Sequence, residues 1–191
     1  KWIIFPLLVR GIGVVSSIVG TFAVSRWKTN GDAFKAMDLS YDLSSIISTI
    51  SFFMLAWFYV NDFENMGLRV FGATVAGILL AVAFNKLTSY FTNPSKPPVK
   101  QIGRSAGTGA ATVILSGLSA GFESTVWAIF IIGATIFSSY IIFFGYPVVF
   151  TFYGVSLAGI GMLSHTGNNV SMDAFGPISD NAGGIGEIVG M

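Results

Sequence analysis

The chain has 191 residues, 53% hydrophobic and only 10% charged, with ten Lys or Arg against nine Asp or Glu. A soluble domain carries about 25% charged residues, so these few charges exclude a fully water-covered surface, and the mean hydropathy of +0.74 points to a lipid-facing one. A net charge of +1 argues against a nucleic-acid partner, and the absence of cysteine excludes disulfides and thiolate metal sites.

The first apolar run, Ile3 to Val24, outlasts the short core of a signal peptide and leads into Arg26, Lys28 and Lys35, so it reads as a membrane span. Arg10 within it is expected to face the protein interior or to snorkel. The second run, Leu43–Val60, ends in a loop holding Asp62 and Glu64, with Arg69 the one base. The third, Leu68–Phe91, is followed by Pro94, Pro97 and Pro98, read as an irregular linker, among Lys96, Lys100 and Arg104. Small residues from Arg104 to Thr112 lead into the fourth run, Glu123–Phe144; a helix from Arg104 to Phe144 would be about 60 Å long, twice the hydrocarbon core. Gly117 and Gly121 are spaced for close helix packing. After the uncharged Gly145-Tyr146-Pro147 turn comes the fifth run, Val148–Met172.

Each run has about the 20 residues that cross a bilayer as a helix, and none alternates as a barrel strand does. The expected fold is all-α, a polytopic membrane helix bundle over residues 1–191, with five spans at about 3–24, 43–60, 68–91, 123–144 and 148–172. Basic residues cluster in the first and third loops, which the positive-inside rule places in the cytoplasm. The extensions 104–122 and 173–191 then project from the cytoplasmic face. The sequence opens on Lys1 and closes on Met191 within a glycine-rich helical pattern, so a segment of a larger membrane protein is expected.

The most informative stretch is Asp173-Ala174-Phe175-Gly176-Pro177-Ile178-Ser179-Asp180-Asn181-Ala182-Gly183-Gly184-Ile185-Gly186-Glu187. Asp173, Asp180 and Glu187 recur every seven residues, almost two helical turns, and so share one face. Val148 to Asp180 is about 48 Å along a helix, which carries Asp180 beyond a core of about 30 Å. Carboxylates there suit Mg²⁺, which prefers oxygen ligands and keeps waters or phosphate oxygens; a solvated helix end with no ligand is the alternative. Asp173 and Asp180, about 10.5 Å apart along the axis, cannot chelate one ion together. Just before this run, Ser164-His165-Thr166-Gly167-Asn168-Asn169 is unusually polar. His165, Asn168 and Asn169 fall near the inner membrane boundary and are read either as part of an ion path or as hydrogen-bonding glue between helices.

The stretch 176–185 resembles the signature of membrane-bound, ion-translocating inorganic pyrophosphatases, whose form is Asp-Ala-Tyr-Gly-Pro-Ile-Ser-Asp-Asn-Ala-Gly-Gly-Ile-Ala-Glu-Met. This chain has Phe175, Gly186 and Ile188 where that form has Tyr, Ala and Met. Phe5-Pro6-Leu7-Leu8, Thr108-Gly109-Ala110-Ala111-Thr112, Tyr153-Gly154-Val155 and Gly161-Met162-Leu163-Ser164 are similar too, while the polar stretch 164–169 departs from the family form. The resemblance implies the seventh to eleventh of sixteen helices. It implies a homodimeric enzyme that hydrolyses Mg²⁺-pyrophosphate and moves H⁺ or Na⁺ out of the cytoplasm, with K⁺ as an activator of some members. It implies a plasma-membrane location in a prokaryote and an acidic-organelle membrane in a eukaryote. By it, Asp180 ligates the substrate-bound Mg²⁺ and so contacts pyrophosphate through the metal; Asp173, Asn181 and Glu187 match motif positions without a defined role. The family's clustered Asp and Lys residues that hold substrate and orient water are absent from this chain, so it holds no catalytic residue of its own, and hydrolysis is expected only with the remaining helices. The runner-up reading is a secondary transporter whose Pro/Gly-interrupted helix holds a coupling ion.

Overall fold

A computed structural model describes residues 1–25, 33–61 and 65–190. The loop residues Arg26, Lys28, Asp62 and Glu64 used for sidedness, and Met191, lie outside the described residues. Among those described, the chain is helical throughout: α1 (Ile4–Ser25), α2 (Ala33–Tyr59), α3 (Met66–Thr92), α4 (Pro97–Ser105), α5 (Ala110–Ile142), α6 (Val148–Met162) and α7 (Thr166–Ile188), with 3₁₀ turns at Ala106–Thr108 and Leu163–His165. Five helical runs, at α1, α2, α3–α4, α5 and α6–α7, are long and apolar enough to cross a membrane.

Two boundaries differ from the sequence reading for backbone reasons. Pro97 does not prolong an irregular linker but opens α4, because proline's fixed φ suits a first turn whose N–H would be orphaned anyway. The continuous helix expected from Arg104 is broken at Gly109, whose φ of +121° and ψ of 171° belong to a region that only glycine adopts readily. Glu123 lies within α5, inside a helix that begins before the fourth apolar run. Gly145, at φ +87°, makes the turn from α5 into α6.

Small residues set how closely the helices approach. A Cβ on Gly77 of α3 would overlap the Ala158 carbonyl of α6, and one on Gly161 would overlap the Thr74 carbonyl of α3. Backbone-to-backbone contact of this kind drives helix association where lipid removes the hydrophobic incentive. The apolar core around this seam includes Phe5, Val9, Phe52, Val70, Phe143 and Leu157. Arg69 locks the α5–α6 turn: its guanidinium donates to the Ile142 carbonyl and lies 4.7 Å from the Tyr146 ring centroid. At the other flank, Tyr153 Oη donates to the Trp2 carbonyl at 2.8 Å and fixes the register of α1 against α6. Among the described residues the Gly117/Gly121 pair makes no such contact: neither glycine has a neighbouring element within 4 Å of where a Cβ would stand.

Candidate functional site on the fifth membrane run

The fifth run is two helices rather than one. The 3₁₀ turn at Leu163–His165 separates α6 from α7 and sits against α1, where a Cβ on Gly13 would stand 2.5 Å from the Ser164 Cβ. This contact presses the polar stretch into the interior. His165 and Asn168 are buried, at 0% and 3% exposure, while Asn169 is exposed.

Helix α2 supplies the other half of this polar layer. Ser40, Ser44 and Ser48 recur every four residues and so line one face, and all three are buried. Asn168 donates through Nδ2 to Ser40 Oγ at 3.1 Å and Ser44 Oγ at 3.4 Å. His165 Nε2 lies 3.4 Å from Ser48 Oγ. The Tyr41 ring tilts against the imidazole at 5.1 Å between centroids. From α1, Ser17 Oγ donates to the Ser164 carbonyl at 3.4 Å, and Thr21 Oγ1 lies 3.4 Å from Ser40 Oγ. Among the described residues, Tyr41 Oη, His165 Nδ1 and Asn168 Oδ1 have no partner of hydrogen-bond geometry. These contacts are neutral and bring α1, α2 and α7 together. The sequence reading named His165 and Asn168 but missed their partners; the serines spaced by four inside the apolar α2 were the signal.

Beyond this layer α7 turns outward. Asp173, Asp180, Asn181 and Glu187 are all exposed. Helical geometry puts Asp173, Asp180 and Glu187 on one face with Thr166, a polar lane about 32 Å long. Pro177 lies inside α7, where its missing N–H leaves the Asp173 carbonyl without its helical donor. Among the described residues, Gly176, Gly183, Gly184 and Gly186 have open space where a Cβ would stand, and the acids between them are exposed. Among the described residues, no three His, Asp or Glu side chains converge on a common point. Asp180 could offer a carboxylate oxygen to a hard cation such as Mg²⁺, which retains waters and phosphate oxygens alongside its protein ligands.

The five apolar helical runs and this lane define a polytopic membrane helix bundle with an exposed acidic helix face. Comparison with known proteins gives the family. The sequence profile described as inorganic H⁺ pyrophosphatase matches residues 1–191, and the chain belongs to that family. A K(+)-insensitive pyrophosphate-energized proton pump of Chloroflexus aurantiacus is 46% identical over 197 residues, covering 100% of this chain and 25% of the relative. A proton pump of the same name from Caldanaerobacter subterraneus is 37% identical, covering 100% and 28%. A putative K(+)-stimulated pyrophosphate-energized sodium pump of Clostridium tetani is also 37% identical, covering 97% and 27%. The chain thus spans about a quarter of the length of these relatives.

Proposed function

We propose that residues 1–191 form one wall of a pyrophosphate-energised ion pump, with Asp180 as a carboxylate ligand of the Mg²⁺ that accompanies pyrophosphate. One observation carries this reading: an exposed acidic face on α7, in a chain whose family profile spans all its residues. The relatives' names speak for pyrophosphate-driven pumping and give no support to the secondary-transporter alternative. H⁺ is the favoured cargo and K⁺ independence the favoured behaviour, because the relative at 46% identity carries both in its name while the sodium pumps compared are 37% and 33% identical.

Phosphoryl transfer to water requires charge neutralisation and a positioned nucleophile. When bound, Mg²⁺ supplies the neutralisation, as a Lewis acid on the phosphate oxygens. Asp180 contributes a negative oxygen on a helix whose lower end is clamped to α1 and α2, so its position is set by the polar layer beneath it. Asp173, about two turns nearer the membrane, lies too far to share that ion and is placed on the route between hydrolysis and the membrane. Asn181 and Glu187 border the same opening without an assigned role. Helices outside this segment bring the remaining ligands and the nucleophilic water, and the assembly is a homodimer in which this segment alone does not hydrolyse. The α4 side and the open end of α7 face the cytoplasm, on the charge of Lys96, Lys100 and Arg104.

The test is the full-length protein in sealed vesicles. Pyrophosphate with Mg²⁺ should drive acidification of the lumen without added Na⁺ or K⁺; hydrolysis with Na⁺ uptake instead would change the cargo, and no pyrophosphate hydrolysis would reject the function. Ser95→Cys should react with an impermeant thiol reagent from the cytoplasmic side, and labelling only from the opposite side would invert the topology.

A further inference from the structure

Arg10 is the one base within α1, a helix long and apolar enough to cross a membrane. It is half-buried, and among the described residues its guanidinium has a single acceptor, Thr166 Oγ1, reached by Nη1 at 3.1 Å. A guanidinium carries five N–H donors and stays charged in proteins. Charged groups at membrane depth pair with one another, with backbone carbonyls or with water. One neutral hydroxyl leaves four donors and the full charge without a match.

The direction of the side chain limits what that match is. Gly13 and Ser164 are level with each other: a Cβ on Gly13 would stand 2.8 Å from the Ser164 Cα. Arg10 lies three residues before Gly13, about 4.5 Å, whereas Thr166 lies two residues beyond Ser164, about 3 Å. The side chain therefore reaches forward along the bundle, away from the nearer end of α1, which is the reverse of snorkelling toward that end's headgroups. On α1, Arg10 lies beside Leu7 and Val14, three residues before and four after it, and both are exposed. On α7, Thr166 opens the face that carries Asp173, Asp180 and Glu187, also exposed. The edge between α1 and α7 is thus apolar on one side and polar on the other, and the residues named on both sides are exposed among the described residues.

We propose that Arg10, held forward by Thr166, receives a carboxylate from a helix of the same protein outside residues 1–191, and that this ion pair sets the register of that helix along α7. Three observations support this occupant: the chain spans about a quarter of its relatives, the exposed edge is as long as a membrane helix, and its charges run in a fixed order. A complementary helix carries an acid opposite Arg10 and neutral or basic side chains, or metal-bound groups, farther along opposite Asp173 and Asp180. Charge-assisted, bidentate Arg–carboxylate pairs add geometric specificity as well as energy, which suits a register mark. The inference rests on family membership and relative length, and not on the pyrophosphate reading.

A structure of the full-length protein in lipid nanodiscs tests it, with a stability assay that needs no substrate. The expected result is an Asp or Glu oxygen from outside residues 1–191 at about 2.7–2.9 Å from an Arg10 nitrogen. Acceptors limited to Thr166, water, lipid phosphate or residues 1–191 would overturn the proposal. In the second arm, Arg10→Glu should lower the fraction of solubilised protein surviving a heat challenge at least tenfold. Reversing the contacted carboxylate to Arg in the same chain should bring survival back to within twofold of wild type. Unchanged survival in Arg10→Glu, or no recovery in the double variant, also overturns the proposal. Neither arm reads hydrolysis, so a failed pyrophosphate reading leaves this outcome separately visible.

Discussion

His165 and Asn168 flank the start of α7, and Asp173, Asp180 and Glu187 follow on the same helix; the first pair is buried among α1 and α2, while the three acids stand exposed. The difference follows the cost of each group. A neutral amide or imidazole needs only hydrogen bonds, and serine hydroxyls at four-residue spacing on one neighbouring helix meet Asn168 Nδ2 and His165 Nε2. A carboxylate needs a counter-charge or water, and the three acids of α7 stand exposed. The same helix is thereby tied at one end to α1 and α2 by hydrogen bonds and exposed at the other. Rigid support beneath an unsatisfied charge is what a binding site requires, because the ligand then spends little on ordering the protein.

Substitutions can break this comparison from either side. The largest effect is expected at Asp180. In the full-length protein Asp180→Asn should lower pyrophosphate hydrolysis by about 100-fold or more, in line with the several kcal/mol that metal-assisted charge stabilisation supplies. Its unfolding free energy should stay within about 0.5 kcal/mol of wild type, as for other exposed positions. Asn168→Ala should do the reverse. It removes the donor to Ser40 and Ser44 and should cost about 1–2 kcal/mol of stability in mixed-micelle denaturation. Hydrolysis per folded molecule should change far less than for Asp180→Asn. Ser48→Ala removes the 3.4 Å contact to His165 and should cost about 0.6 kcal/mol, the average for polar contacts between membrane helices. Asn169→Ala, next to Asn168 in sequence but exposed, should fall within about 0.5 kcal/mol of wild type. If Asn169→Ala and Asn168→Ala cost the same, the buried layer is not what anchors α7.

The sequence made some of this legible and hid the rest for identifiable reasons. Five long apolar runs were visible because a bilayer demands about 20 apolar residues in a row, and the structure has five such helical runs. Helix breaks were harder. Gly109 and the 3₁₀ turn at Leu163–His165 interrupt runs whose composition suits a continuous helix, and glycine is too frequent here to mark which copy takes a positive φ. Pro97 misled because proline opens helices as readily as it interrupts chains. The acid spacing on α7 was plain from the heptad repeat, but its extension to Thr166, and Thr166's link to Arg10, depend on a contact across 156 positions that no local pattern carries. Likewise His165, Asn168 and Asn169 look equivalent in sequence, and only the pressing of Ser164 against Gly13 decides which of them are buried.

The central claim is that the open acidic face of α7 holds its metal at Asp180. The most direct test is pyrophosphate hydrolysis by the full-length protein titrated with Mg²⁺, comparing wild type with Asp180→Asn and Asp173→Asn. Removing the ligating charge should shift the Mg²⁺ dependence of Asp180→Asn to at least tenfold higher concentration, alongside its loss of rate. Asp173→Asn, about 10.5 Å away along the helix, should keep the wild-type Mg²⁺ midpoint. A wild-type midpoint and rate for Asp180→Asn would contradict the assignment.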